Sequence, residues 1–135
     1  MSWEDCKKKR IVKHVSVDLD LINSLKITSK NKEISASMLK FDKRTYSSIV
    51  SLYYDSLREL LEAVVLSKGF KIYNHECYVY FISTILGDRE FSYNFDAVRK
   101  IRNGLNYYGE SLDLKDAEIV IADLKKLIAK ARGFL

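Results

Sequence analysis

The strongest pattern in the chain is a run of apolar residues at three- and four-residue steps: Tyr46, Ile49, Val50, Tyr53, Leu57, Leu60, Leu61, Val64 and Val65. That is the helical period, so the run predicts a long central helix, with Asp42 or Thr45 as N-cap and Gly69 just past its end. Arg58 and Glu62, four apart on it, predict an exposed ion pair contributing about a few tenths of a kcal/mol. Upstream, Ile11, Val15, Leu19, Ile22 and Leu25 recur at similar steps and predict a first helix from Arg10 to about Lys26. Ile27 to Asp42 is polar with scattered apolar residues and reads as a connection holding a short helical turn around Ile34 to Leu39.

Downstream, a third helix is expected between Asn74 and Gly87, with Tyr78, Phe81, Ile82, Ile85 and Leu86 on its apolar side. After a loop from Asp88 to Tyr93, Asn94 is the capping candidate for a fourth helix, Phe95 to Tyr108, with Val98, Ile101, Leu105 and Tyr108 on one face and Gly109 beyond it. A last helix opens at Ser111 or Asp113 and repeats Ala117, Val120, Ile121, Leu124, Leu127, Ile128 and Ala131. Short loops make consecutive helices neighbours, so the expectation is an all-α, up-and-down bundle of four or five helices.

Composition narrows this without changing it. A length of 135 residues gives room for one core, and no linker or repeat divides it, so residues 1–135 read as a single domain. Proline is absent, which suits long helices. No apolar run approaches the roughly 20 residues of a spanning helix, and the charged start MSWEDCKKKR lacks a signal peptide's apolar stretch; the expectation is a cytoplasmic protein with no membrane partner. Cys6 and Cys77 lack CxxC spacing and read as two idle or buried thiols, with no metal site and no cofactor motif. A net charge of +5 tilts partners toward anions.

Candidate chemistry concentrates in VRKIRNGLNYYGE, Val98 to Glu110. On a helical wheel Arg99, Arg102, Asn103 and Asn106 gather opposite the apolar face, a stripe of donors suited to phosphates and base edges, although a solvated face has the same pattern. Gly104 inside a helix costs roughly 1 kcal/mol relative to Ala, which suggests that another helix, a second subunit or a ligand comes close there. The basic run Lys7, Lys8, Lys9, Arg10 and Lys13 could track a phosphate backbone or be a solvated terminus. Eight of the nine tyrosines, Tyr53, Tyr54, Tyr73, Tyr78, Tyr80, Tyr93, Tyr107 and Tyr108, suit half-buried core edges or stacking surfaces. His14 and His75 are the two histidines. His75 would matter functionally if it approached the Arg102 face.

The Arg102-Asn103 dipeptide late in the penultimate helix, followed by an aromatic pair and a glycine, resembles the signature of the HEPN superfamily of prokaryotic helical bundles. So does YYDSLRELLEAVVLSKGFKIYNHE, with its long helix, glycine stop and following His. The resemblance spans roughly Tyr46 to Ala131. It implies a homodimer through the face bearing the Arg motif, a role in RNA binding or cleavage, and a nucleotidyltransferase partner in a toxin–antitoxin module. Carried over by position, Arg102 is the motif Arg, Asn103 its polar neighbour, and Tyr107 stands where a His is expected; Tyr107 or Tyr108 could also accept a nucleotide from the transferase. A tyrosine with a pKa near 10 is a poor general base at neutral pH. The expectation is therefore an RNA- or nucleotide-binding dimer, non-catalytic or weakly catalytic, with Arg99, Arg102, Asn103, Asn106 and Tyr107 framing a cleft. The rivals are an active metal-independent endoribonuclease, with Arg102 and Tyr107 or His75 as catalytic residues, and a dimeric helical scaffold for a protein partner.

Overall fold

The computed structural model describes every residue from Met1 to Leu135. The protein is mostly helical, as expected. It contains α1 (Trp3–Lys8), β1 (Val12–His14), α2 (Leu19–Met38), α3 (Tyr46–Ser67), β2 (Phe70–Ile72), α4 (His75–Thr84), α5 (Arg89–Tyr107) and α6 (Leu114–Arg132). No helix is long and apolar enough to cross a membrane.

Helix α3 is the centre. Leu57, Leu61, Val64 and Val65 on it are wholly buried, each contributing about 1.5–3 kcal/mol relative to exposure. Gly69 follows it with φ +83, the left-handed conformation that ends a helix at little cost for glycine. Four long helices alternate in direction. Ile22 of α2 packs with Ala63 and Leu66 of α3 while Ser29 meets Ser56, and Ser51 of α3 meets Asn106 of α5 while Asp55 meets Arg102, so α2 and α5 each run antiparallel to α3. Helix α6 closes the core with Leu124, Ile128 and Ala131, all wholly buried, and the Asp113 side chain caps it by accepting from the Asp116 N–H at 2.8 Å. Helix α4 is capped by Asn74, which accepts from the Glu76 N–H at 2.7 Å.

The first third of the chain departs from its periodicity. The predicted helix from Arg10 to Lys26 is instead a strand, a turn and the start of α2. Val12 pairs with Ile72 and His14 with Phe70 in an antiparallel two-stranded ribbon, a tertiary pairing that local spacing does not reveal. Asp18 then starts α2 by accepting from the Leu21 N–H at 3.0 Å. The predicted connection from Ile27 to Asp42 is mostly the second half of α2. Its buried face is small and partly polar, Ser29 and Ala36 together with Ile22, while Ile27, Ile34 and Met38 point outward. A search for large apolar residues at helical spacing overlooks such an interface.

Three further differences follow the same logic. Helix α5 begins at Arg89, capped by Asp88, which accepts from the Phe91 N–H at 3.0 Å, so the expected loop and the Asn94 cap are both displaced by a turn and a half of helix. Ile85, expected in the core, is exposed just beyond α4. Cys6 and Cys77, expected as idle or buried free thiols, are both wholly buried but are joined in a disulfide that fastens α1 to the first turn of α4. Sequence separation of 71 residues gave no hint that α1 folds back over α4.

Candidate functional site

Helices α3 and α5 meet along a polar seam. At one end the Ser51 hydroxyl donates to Asn106 Oδ1 at 2.9 Å. In the middle, Arg102 reaches Asp55 at 3.6 Å, and its guanidinium carbon lies 5.1 Å from the Tyr54 ring centre and 5.3 Å from that of Tyr107. Both are cation–π distances. One Arg102 terminal nitrogen donates to the Tyr107 hydroxyl at 3.1 Å. Farther along, Arg99 is held by Asp96 at 2.7 Å and Arg58 by Glu62 at 3.8 Å, each within its own helix.

The sequence-predicted stripe is therefore gathered on the α5 face that meets α3. The Arg99 and Arg102 side chains are only 15% and 13% exposed. Asn103 is half-buried, with its side-chain oxygen 3.5 Å from Arg102, and Asn106 is exposed. Tyr107 is 66% exposed and covers the guanidinium from outside. Arg58 and Glu62, expected on the surface, are half-buried beside this seam. Gly104 is approached closely, but by this chain's own turn: a Cβ there would lie 2.0 Å from Glu110 Oε2. The Gly104 carbonyl accepts from the N–H groups of Tyr108 and Glu110, and Gly109 at φ +64 makes that return possible.

The seam has a buried floor. The Tyr54 hydroxyl lies 3.1 Å from His75 Nδ1, and the His75 ring stands edge-on to Tyr78. His75 thus joins Arg102 through Tyr54, which lies between them. Burial, reinforced by the positive charges of Arg58, Arg102 and Arg99, lowers the His75 pKa to about 4. Its imidazole is neutral at physiological pH. Burial raises Tyr54 to about 12 against the pull of Arg102, and raises Tyr78 as well, so both phenols keep their protons. Burial works to raise the Asp96 carboxyl, but hydrogen bonds from Arg99 and Lys100 overcome it and leave the pKa below the ordinary value.

One polar atom in this seam stands apart: Arg102 Nε is buried and has no hydrogen-bond partner, the single such side-chain atom in the protein. Leaving a buried charged donor unmatched costs more than an ordinary hydrogen bond returns. Sequence reasoning found Arg102 and its neighbours on α5 but missed Ser51, Tyr54 and Asp55. The signal was there: Ser51, Asp55, Arg58 and Glu62 form a polar stripe on the helix that buries more residues than any other. His14, by contrast, is exposed and packs against Phe70, far in sequence and in fold from the seam. No group of three or more His, Cys, Asp or Glu side chains is placed to hold a metal ion. No protein-family model and no curated protein matches the sequence.

Proposed function

We propose that this chain is a HEPN-like, RNA-associated domain that binds RNA or a nucleotide-bearing partner through the α3–α5 seam, as a homodimer that is non-catalytic or weakly catalytic. The observation that carries the reading is Arg102, a guanidinium clasped between two tyrosine rings with its Nε unmatched. Such a group is pre-oriented for a phosphate oxygen pair, and the Tyr107 ring beside it offers a surface on which a base can stack. Tyr107 and Tyr108 are exposed at the end of α5 and supply the aromatic rim for a second copy of the chain.

Binding is favoured over catalysis because of His75. An imidazole with a pKa near 4 is a weak base at neutral pH, and Tyr54 is too strongly protonated to replace it. The nucleotidyltransferase partner and the toxin–antitoxin setting rest on the family resemblance alone. The reading also places the protein in the cytoplasm, where reducing thiol pools oppose the Cys6–Cys77 bond. Thiol titration of rapidly alkylated cell extract measures which state is present.

The test is a salt titration of labelled RNA binding by the wild-type protein and by Arg102→Ala. Affinity should fall steeply with salt, and the variant should bind at least about tenfold more weakly. Binding that ignores both salt and the substitution overturns the proposal. Arg102-dependent cleavage in the presence of chelator would favour the metal-independent endoribonuclease instead.

A further inference from the structure

The β1–β2 ribbon lies outside the seam and has a chemistry of its own. Its Val12, Ile72 and Phe70 side turns toward the core, where Phe70 meets Trp3 edge-on at 5.3 Å. Its other side faces solvent. There Lys13 and Lys71 stand directly opposite each other in the ladder. Like charges in that position destabilise a sheet. Both ammonium groups lie over one ring, that of Tyr73, at 5.4 and 5.3 Å from its centre, and Tyr73 is 58% exposed.

The surrounding chain adds charge. The Tyr73 N–H donates to the Ile11 carbonyl, which sets Arg10 beside the ring's backbone, and the Val15 N–H donates to Gly69, next to Lys68. Lys9, Arg10, Lys13, Lys68 and Lys71 are all exposed, and none is paired with a carboxylate. Arg10 has φ +58 and is the only non-glycine residue in the left-handed region. It closes α1 with the paired bonds Arg10 N–H to Lys7 and Ile11 N–H to Cys6, a helix ending that favours glycine. The fold thus carries an arginine where glycine would be more stable, beside two opposed lysines that gain nothing from each other.

We propose that this ribbon is a second binding surface, specific for single-stranded nucleic acid, with Lys13, Lys71 and Arg10 on the phosphates and a base on the Tyr73 ring. An exposed aromatic ring flanked by cations is the combination that single-strand binders use. An acidic peptide would use the lysines and leave Tyr73 without a role. A lipid surface would be gripped by apolar side chains as well, and the ribbon turns its own inward. The surface is independent of the α3–α5 seam, so either can fail alone.

The experiment is fluorescence anisotropy of a labelled single-stranded oligouridylate of about 15 nucleotides, with heparin and phosphatidylserine vesicles as base-free polyanions. Lys13→Ala and Lys71→Ala should each reduce the salt slope by about one. Tyr73→Ala should weaken oligouridylate binding about tenfold while leaving heparin binding unchanged, and Tyr73→Phe should restore it. Arg10→Gly should weaken binding and raise Tm by a few degrees, which separates lost contact from lost fold. All four effects should persist in an Arg102→Ala background. Unchanged oligouridylate affinity in the lysine variants overturns the proposal. So does a Tyr73→Ala protein that binds normally, or wild-type binding to heparin or vesicles that matches oligouridylate.

Discussion

On its α2 side, helix α3 presents Ser56 and Glu59; on its α5 side it presents Ser51, Tyr54, Asp55 and Arg58. Both flanks are polar, yet only the first is closed. The hydroxyls of Ser29 and Ser56 each donate to the other residue's carbonyl, at 2.7 and 2.9 Å, and Glu59 takes the Thr28 hydroxyl at 3.0 Å together with Lys32. Every donor there has an acceptor, and the small side chains let two helices approach closely. The α5 flank keeps an unmatched guanidinium nitrogen and a neutral imidazole. A satisfied polar seam specifies packing; an unsatisfied one retains bonding capacity for something else.

The comparison can be broken most directly at Ser56. Ser56→Leu adds two heavy atoms where the side chain is wholly buried against α2, and should cost roughly 3 kcal/mol or more, from overpacking and from stranding Ser29. Urea denaturation measures it; a loss below about 1 kcal/mol would mean that the α2 flank is loose.

Acid comes next, and it acts on the other flank. The unfolded chain protonates His75 near 6.5 whereas the folded chain resists until about 4. Between those values the unfolded state binds more protons, so stability is complete above pH 6.5 and is lost as pH falls toward 4. The loss should be about 1–2 kcal/mol after allowing for the solvent screening of a partly exposed ring. Glu33 and Asp96, whose pKa values are also lowered, add their own losses at the acid end. Comparing His75→Phe with wild type between pH 6.5 and 4.5 isolates the histidine, because the variant should be flatter across that window.

The smallest effect is expected at Arg102. Arg102→Met gives up the Asp55 pair and the ring contacts but also removes the unmatched Nε, so stability should change by less than about 1 kcal/mol in either direction. Thermal unfolding checks this. A large loss would move Arg102 into the same structural class as Ser56.

The bundle was legible wherever helices bury large apolar residues. Helices α3 and α6 match their periodic patterns, and Asn74 and Asp113 cap α4 and α6 as their positions suggest. Helix α2 was not legible, because its inner face is Ser29 and Ala36 and its outer face carries Ile27, Ile34 and Met38. The stripe on α5 could be read from Arg99, Arg102, Asn103 and Asn106, but its direction could not, since a polar stripe looks the same whether it meets water or another helix.

What the residue order determined alone was the helical class, the limits of α3 and α6, the start of α4 and the end of α5, and the grouping of arginine and asparagine on one side of α5. These depend on contacts among residues a few positions apart. Only the folded arrangement decided that Tyr54 and Tyr107 clasp Arg102, that His75 is neutral, that Lys13 and Lys71 share Tyr73, and that Cys6 meets Cys77. Each of those joins distant segments or depends on burial, and neither is encoded in local spacing.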